Sequence, residues 1–303
     1  MIRVIAMAAL AMIAPMSDAA AQGREVLGNG RIVNNDLYGD ASDRWQTGSV
    51  AGSHVVGYGW TGMLPDRPFD ILEYRIGGQV VTPANLRTPD PTDRPYAGVW
   101  TLGAHTHFQR GMVEMAMGAD LAIVGQQTGL SDLQTALHDG LGVTAASKQV
   151  TDNQVGDGFY PTLVTEAATT IPLGGQAVVR PFVEGRWGLE TLARVGADVT
   201  IGGVGQGELL VRDAITGQRY RTVTQPIQGF SYVLGGDFAY VDSSELLPAN
   251  KVTATDTRTR LRAGVHWQGE RNTVFYGVTY LSKEFEAQPK GQVVGSVRMK
   301  LDF

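Results

Sequence analysis

The chain has 303 residues, 39 glycines, no cysteine and a formal net charge of -5. Without cysteine there is no disulfide framework and no thiolate metal site, and without a basic block nucleic-acid binding is excluded as the main task. The length suits one large domain, and the glycines sit inside strand-like segments rather than in a linker, which points to β structure.

At the start, Arg3 precedes an apolar run, Val4 to Ala14; Pro15 interrupts it, and Ala19-Ala20-Ala21 stands before Gln22. This reads as a secretory signal peptide over residues 1–21, leaving 22–303 as the mature domain. The run falls short of the roughly 20 apolar residues that a membrane-spanning helix needs.

The mature part reads as about twelve strands, an even number as outer-membrane barrels require. The first spans about 27–35, the second 45–60, the third 69–81, the fourth 96–108 and the fifth 113–124. In the fourth, Trp100, Leu102 and Ala104 alternate with Thr101, Gly103, His105 and His107. Such period-two alternation suits a wall with lipid outside and a polar lumen inside. Segments 162–173 and 176–189 form a hairpin about Gly174-Gly175, and 192–202 follows. A polar excursion to about Thr224 has room for a small hairpin of its own. Three more strands centre on Phe230 to Phe238, Arg260 to Trp267 and Val274 to Tyr280. The last pairs Val297, Met299, Leu301 and Phe303 against Arg298, Lys300 and Asp302, and resembles the terminal strand of an outer-membrane barrel. Trp45, Trp60, Trp100, Tyr232, Trp267 and Tyr280 fall near strand ends, where interfacial girdles lie.

With both termini periplasmic, segments 36–44, 83–95, 125–158, 243–255 and 285–291 become extracellular, and 203–224 becomes a long periplasmic turn. The loop 125–158 carries a short helix. Ser131 and Gln134 fit a capping box, Leu133, Ala136 and Leu137 make its apolar stripe, and Gly140 ends it. Gln134 and His138 share a face; the barrel mouth is the nearest surface for the stripe.

The loop from Asn34 to Gly48 concentrates Asn35, Asp36, Asp40, Asp43, Arg44 and Thr47. Oxygen-rich loops suit a hard cation such as Ca²⁺, although Asn, Asp and Gly also dominate plain turns. Of the five histidines, His105, His107 and His266 read as lumen-facing structural residues, and His54 falls on the lipid-facing side. His138 alone shares the end of the barrel that holds Asn35 and Asp36, where an imidazole can serve as general base.

These residues form an ordered set of motifs. Asn35-Asp36 ends the first strand, D-R-x-x-T-G (Asp43 to Gly48) opens the second, D-R-P-Y-A-G (Asp93 to Gly98) opens the fourth, and Q-x-x-x-H (Gln134 to His138) lies in the helix. The set resembles the outer-membrane lipid A 3-O-deacylase family of Gram-negative bacteria, over essentially the whole mature chain. The resemblance implies an all-β, transmembrane, twelve-stranded antiparallel barrel with an extracellular-loop helix, working as a monomer on lipid A or lipopolysaccharide in the outer membrane. It implies hydrolysis of the ester of the 3-position acyloxyacyl chain, with Ca²⁺ as cofactor. Carried onto matching positions, His138, Asn35, Asp36 and Thr47 are the active-site residues, with Asn35, Asp36 and Thr47 toward the metal. One departure stands out: the family has a functional glutamate six residues after the histidine, and here that position is Thr144. A non-catalytic barrel, a small pore or a structural protein that kept the fold, is the competing reading. A serine-nucleophile phospholipase barrel finds no Ser-His pairing.

Overall fold

The computed structural model describes residues 23–301. The expected signal peptide, the mature start at Gln22 and the terminal Phe303 lie outside the described residues. Five strands follow one another in the first half: β1 (Glu25–Asn35), β2 (Trp45–Gly57), β3 (Ile71–Thr82), β4 (Ala97–Arg110) and β5 (Val113–Val124). A loop with two helices, α1 (Leu130–Leu141) and α2 (Lys148–Asp152), leads to β6 (Gly158–Ala168), the short β7 (Ile171–Gly174), β8 (Ala177–Trp187) and β9 (Glu190–Ile201). A two-stranded hairpin, β10 (Leu209–Arg212) and β11 (Arg219–Val223), precedes β12 (Gly229–Ser244), β13 (Thr257–Gln268), β14 (Thr273–Leu281) and β15 (Gln292–Lys300).

All pairings are antiparallel, and β1 meets β15 through Val33↔Val297, Asn34↔Ser296 and Asn35↔Gly295. With β6 joined to β8, the ring closes as a barrel of twelve strands, and β7 only extends the edge of β8. Among the described residues the seam between β1 and β15 is held by those three pairs alone, and it joins the two ends of the sheet, as a sheet that spans lipid requires. The expected barrel is therefore the observed one, with strand ends displaced by a few residues.

The alternation sorts as a two-solvent wall demands. On β12, Phe230, Tyr232, Leu234, Phe238 and Tyr240 are exposed outward, while Ser231 and Asp237 are buried inward. His105 and His107 face the lumen, bonded to Asp120 and Glu73, both at 2.7 Å. His266 is buried against Phe275, ring centroids 4.4 Å apart. His54 does face outward, and Asn29 on the neighbouring strand shares a 2.8 Å hydrogen bond with its Nδ1. The girdle holds at Tyr232 and Tyr280, which are exposed, but not at Trp45, which is buried among Leu247, Val252 and Phe285.

The segment read as a long periplasmic turn is an inner plug. Its β10–β11 hairpin crosses the lumen. Tyr220 Oη meets Ser53 Oγ of β2 at 2.7 Å, and Arg212 reaches Glu166 of β6 at 2.6 Å and Asp198 of β9 at 2.9 Å. Gln218 donates to Thr279 Oγ1 of β14, and Arg260 of β13 donates to the carbonyls of Ala214 and Ile215. The wall is thinned to admit it: a Cβ on Gly28 of β1 would lie 2.2 Å from the Thr222 carbonyl oxygen. A polar lumen lined by carboxylates supplies partners that a polar turn would otherwise find in water.

Candidate active site

The site is built at the loop end of the wall, starting from β1. Asn35 belongs to the outward-facing set Asn29, Arg31 and Val33 by alternation. Its Oδ1 accepts from the Leu37 N–H at 2.8 Å and so caps a 3₁₀ turn, Asp36–Tyr38. That turn folds down the outside of the barrel. Tyr276 Oη, on an outward position of β14, donates to the Tyr38 carbonyl at 2.8 Å. A Cβ on Gly295 of β15 would sit 2.3 Å from the same oxygen, so only glycine permits the approach.

Asp36 is buried, and its Oδ2 accepts from the Arg44 N–H at 3.1 Å. The Arg44 guanidinium turns elsewhere, to Asp40 at 2.8 Å and over the Trp45 ring at 4.8 Å. Among the described residues Asp36 has no ion-pair partner. Burial pushes its carboxyl up to about 7, against the pull of the Arg44 N–H and with a further push from the Asp43 charge.

Two non-glycine residues of this loop, Ala41 and Trp45, hold positive φ angles of 56° and 52°. Such conformations cost roughly 1–3 kcal/mol each and persist only where the surroundings enforce them. Trp45 is held by its indole N–H, which donates to Asp93 at 3.2 Å. The next turn of the chain is a β-bulge: the register shifts between Gln46 and Gly48, and Thr47 is the extra residue. A bulge re-aims the side chain it inserts. Gln46 points to the lumen, bonded to Gln79 and Glu284, whereas the Thr47 hydroxyl meets Asp43 Oδ1 at 3.2 Å and Thr82 Oγ1 at 3.0 Å.

The helix completes the site from the other side. It lies at the rim against the outward face of β4, rather than over the mouth. Trp100 Nε1 donates to the Thr128 carbonyl at 3.1 Å, and a Cβ on Gly98 would lie 2.7 Å from Thr128 Oγ1 and 2.9 Å from Leu130. The expected capping box does not form: Ser131 is buried inside the first turn, and Gly129 in a left-handed conformation is the N-cap. The helix also runs past Gly140 and stops at Gly142, whose φ is 69°. Gly142 N–H returns to Asp139 O at 3.3 Å and Val143 N–H to His138 O at 3.0 Å.

That return brings the chain back onto His138. Nδ1 of His138 lies 2.7 Å from the Thr144 carbonyl oxygen and 3.6 Å from Asp43 Oδ2. An imidazole facing two acceptors through Nδ1 carries its proton there, and Nε2 is left with its lone pair. Gln134, one turn earlier, is buried with neither amide atom bonded, and the buried Tyr96 hydroxyl is likewise without a partner.

The structure thus gathers Asp43, Thr47 and His138 directly, with Asn35 and Asp36 on the adjoining turn. Sequence reasoning missed Thr82 and the Thr144 carbonyl. Asp43 and Gly98 stand in the D-R-x-x-T-G and D-R-P-Y-A-G motifs, which assign them no role of their own.

A family model described as outer membrane protein LpxR matches residues 4–303. The chain belongs to the LpxR family, the lipid A 3-O-deacylases. It is similar to the solved LpxR from Salmonella typhimurium, with a TM-score of 0.75 at 17% identity, covering 91% of this chain and 100% of that one. The translocator domain of autotransporter NalP from Neisseria meningitidis aligns over 100% of this chain and 97% of its own, at 11% identity and a TM-score of 0.42. No curated protein sequence matches. Membership of the LpxR family makes this chain a lipid A-modifying barrel of the Gram-negative outer membrane, and the site lies where the outer face of such a barrel meets its rim.

Proposed function

We propose that this barrel hydrolyses the ester of the 3-position acyloxyacyl chain of lipid A in the outer leaflet, with His138 as general base. The observation that carries the reading is the His138 imidazole at the rim, whose Nδ1 faces two oxygens and whose Nε2 is left free. Leu37 on the Asp36 turn, and Leu137, Leu141 and Val143 on the helix and its return, are all exposed, at 66%, 53%, 75% and 51%. Exposed apolar side chains on the segments that carry a polar site suit an amphiphile whose ester lies at the lipid–water boundary.

In the reaction, Nε2 takes a proton from water as the water oxygen bonds to the ester carbonyl carbon. The imidazolium then returns the proton to the 3-position oxygen as the carbonyl carbon–oxygen bond breaks. The residues of this loop fit Ca²⁺: the buried Asp36 carboxylate lacks a basic partner, and the hydroxyls of Thr47 and Thr82 on the adjoining strands are further hard oxygens. Among the described residues no three acidic or histidine side chains cluster, so such an ion draws on amide, hydroxyl and carbonyl oxygens as well. Asp36 and Thr47 would hold it, with Asn35 shaping the turn. When bound, Ca²⁺ supplies Lewis-acid stabilisation of the developing oxyanion. The filled lumen speaks for this reading over an open pore.

The test is mass spectrometry of lipid A from cells with and without the protein. Loss of the 3-linked acyloxyacyl group only in its presence is expected. Identical spectra with Ca²⁺ supplied would overturn the proposal.

A further inference from the structure

We infer that Asp43 and the main-chain carbonyl of Thr144 together position the His138 imidazole. The inference rests on the reading of His138 as the base, and it concerns how that base is held.

The geometry is a convergence of two segments on one nitrogen. From the helix side, the left-handed Gly142 and the return of Val143 N–H to His138 O fold the chain so that the Thr144 oxygen comes to 2.7 Å from Nδ1. This contact belongs to the backbone, and the Thr144 residue as a whole is exposed. From the strand side, Asp43 Oδ2 stands 3.6 Å from the same nitrogen. Asp43 is held in turn: its other oxygen, Oδ1, accepts from the Thr47 hydroxyl at 3.2 Å, and Thr47 meets Thr82 at 3.0 Å.

The two contacts do different work. The neutral carbonyl, within hydrogen-bond distance, fixes the proton on Nδ1 and the ring plane, which leaves Nε2 basic. The carboxylate, farther off, faces the same nitrogen, across the ring from the Nε2 that takes a proton from water. Orienting and charge-stabilising a catalytic imidazole by a carboxylate on its far nitrogen is a recurrent solution in hydrolases. Here a backbone oxygen and an aspartate from another loop divide that task. The oxygen that touches the ring belongs to the main chain and is present whatever side chain stands at position 144.

The test compares Asp43→Asn with the unaltered protein, each refolded in detergent and checked for heat-modifiable gel migration. Asp43→Asn keeps the size and the Thr47 contact but removes the charge. We expect its kcat for acyl release to fall about ten- to a hundredfold, with KM and the Ca²⁺ concentration for half-maximal rate within about twofold of the unaltered values. In the unaltered protein, the ring ¹⁵N resonances of His138 should place its proton on Nδ1. Full activity in Asp43→Asn overturns the role of Asp43. Recovery of Asp43→Asn by excess Ca²⁺ also overturns it, since Asp43 is then a metal ligand. A proton found on Nε2 overturns the role of the carbonyl. If the unaltered protein releases nothing from lipid A, the deacylation reading fails, and the ¹⁵N resonances still decide how the imidazole is held.

Discussion

Asn34 of β1 donates through Nδ2 to Asp213 Oδ2 at 3.1 Å, a contact between residues 179 apart. Asp213 belongs to the turn of the lumenal hairpin, and the same oxygen accepts from the N–H and hydroxyl of Thr216. Asn34 is also bonded to Ser49 of β2 and Ser296 of β15, and it directly precedes Asn35. The plug therefore supports the inner side of the wall at the point where the outer side carries the candidate site.

Asp213→Ala should loosen that support. It leaves one buried donor of Asn34 and two of Thr216 without their acceptor, each worth about 1–3 kcal/mol when orphaned. The unfolding midpoint in urea should fall while the twelve-stranded barrel still forms. Lipid A hydrolysis should slow on the order of tenfold through misplacement of Asn35 and Asp36. Unchanged stability and rate would show that the contact is incidental.

His138→Ala should separate chemistry from folding. A general base contributes about 10²–10⁴ in rate, whereas this helix position should cost about 1 kcal/mol of stability or less. His107→Ala should do the reverse. It removes one partner of Glu73, which is fully buried and keeps only Arg75 and Ser53, so the barrel should lose about 1–3 kcal/mol while each folded molecule hydrolyses at the normal rate. Activity per heat-modifiable molecule, measured for both variants, distinguishes the two cases.

The strands were legible because one face meets lipid and the other a polar lumen, so period two is written into β4, β12 and β15. The motif residues Asn35, Asp36, Thr47 and His138 were legible as a set. What could not be read were contacts that depend on backbone alone. The Thr144 carbonyl, the bulge at Thr47 and the Gly142 stop leave no side-chain signature. The small hairpin expected before Thr224 is there as β10–β11, but its place inside the lumen was not legible, because its partners, such as Glu166, Asp198 and Ser53, are on strands far away in sequence. On sequence alone Trp45 fits a girdle, because a tryptophan at a strand end looks alike whether it faces lipid or the loop core formed by Leu247, Val252 and Phe285.

Asp36 sets a pH dependence for the calcium-free protein. Its carboxyl rises from 3.8 to about 7 on folding, chiefly through burial. Between those values the folded state holds a proton that the unfolded state has released, so folding is favoured at the acid end and loses this contribution as pH climbs through about 7. Calcium-free protein should be more stable near pH 5 than near pH 8, Ca²⁺ should restore stability at pH 8, and Asp36→Asn should remove the difference. Urea midpoints at the two pH values, with and without chelator, measure it. A midpoint for the unaltered calcium-free protein that rises with pH would contradict the burial of an uncompensated carboxylate.

The plug also decides between an enzyme and a pore. If the hairpin fills the lumen, the unaltered protein should pass no ion current in a planar bilayer. Gly28 lies against the hairpin backbone, with the Thr222 carbonyl oxygen 2.2 Å from where a Cβ would be. Backbone cannot move aside as a flexible side chain can, so Gly28→Val should push β11 away from β1 and open a leak. Should that variant fail to fold, replacing residues 206–224 with a short Gly-Ser linker removes the hairpin outright. That leaves wall residues such as Asp198 and Glu166 to water, which a barrel lumen tolerates. Conductance should appear in either variant, and hydrolysis should fall with it, because both withdraw Asp213 from Asn34. Steady conductance from the unaltered protein would instead favour the pore. Conductance gained with hydrolysis unchanged would mean that the plug closes the lumen without supporting the site.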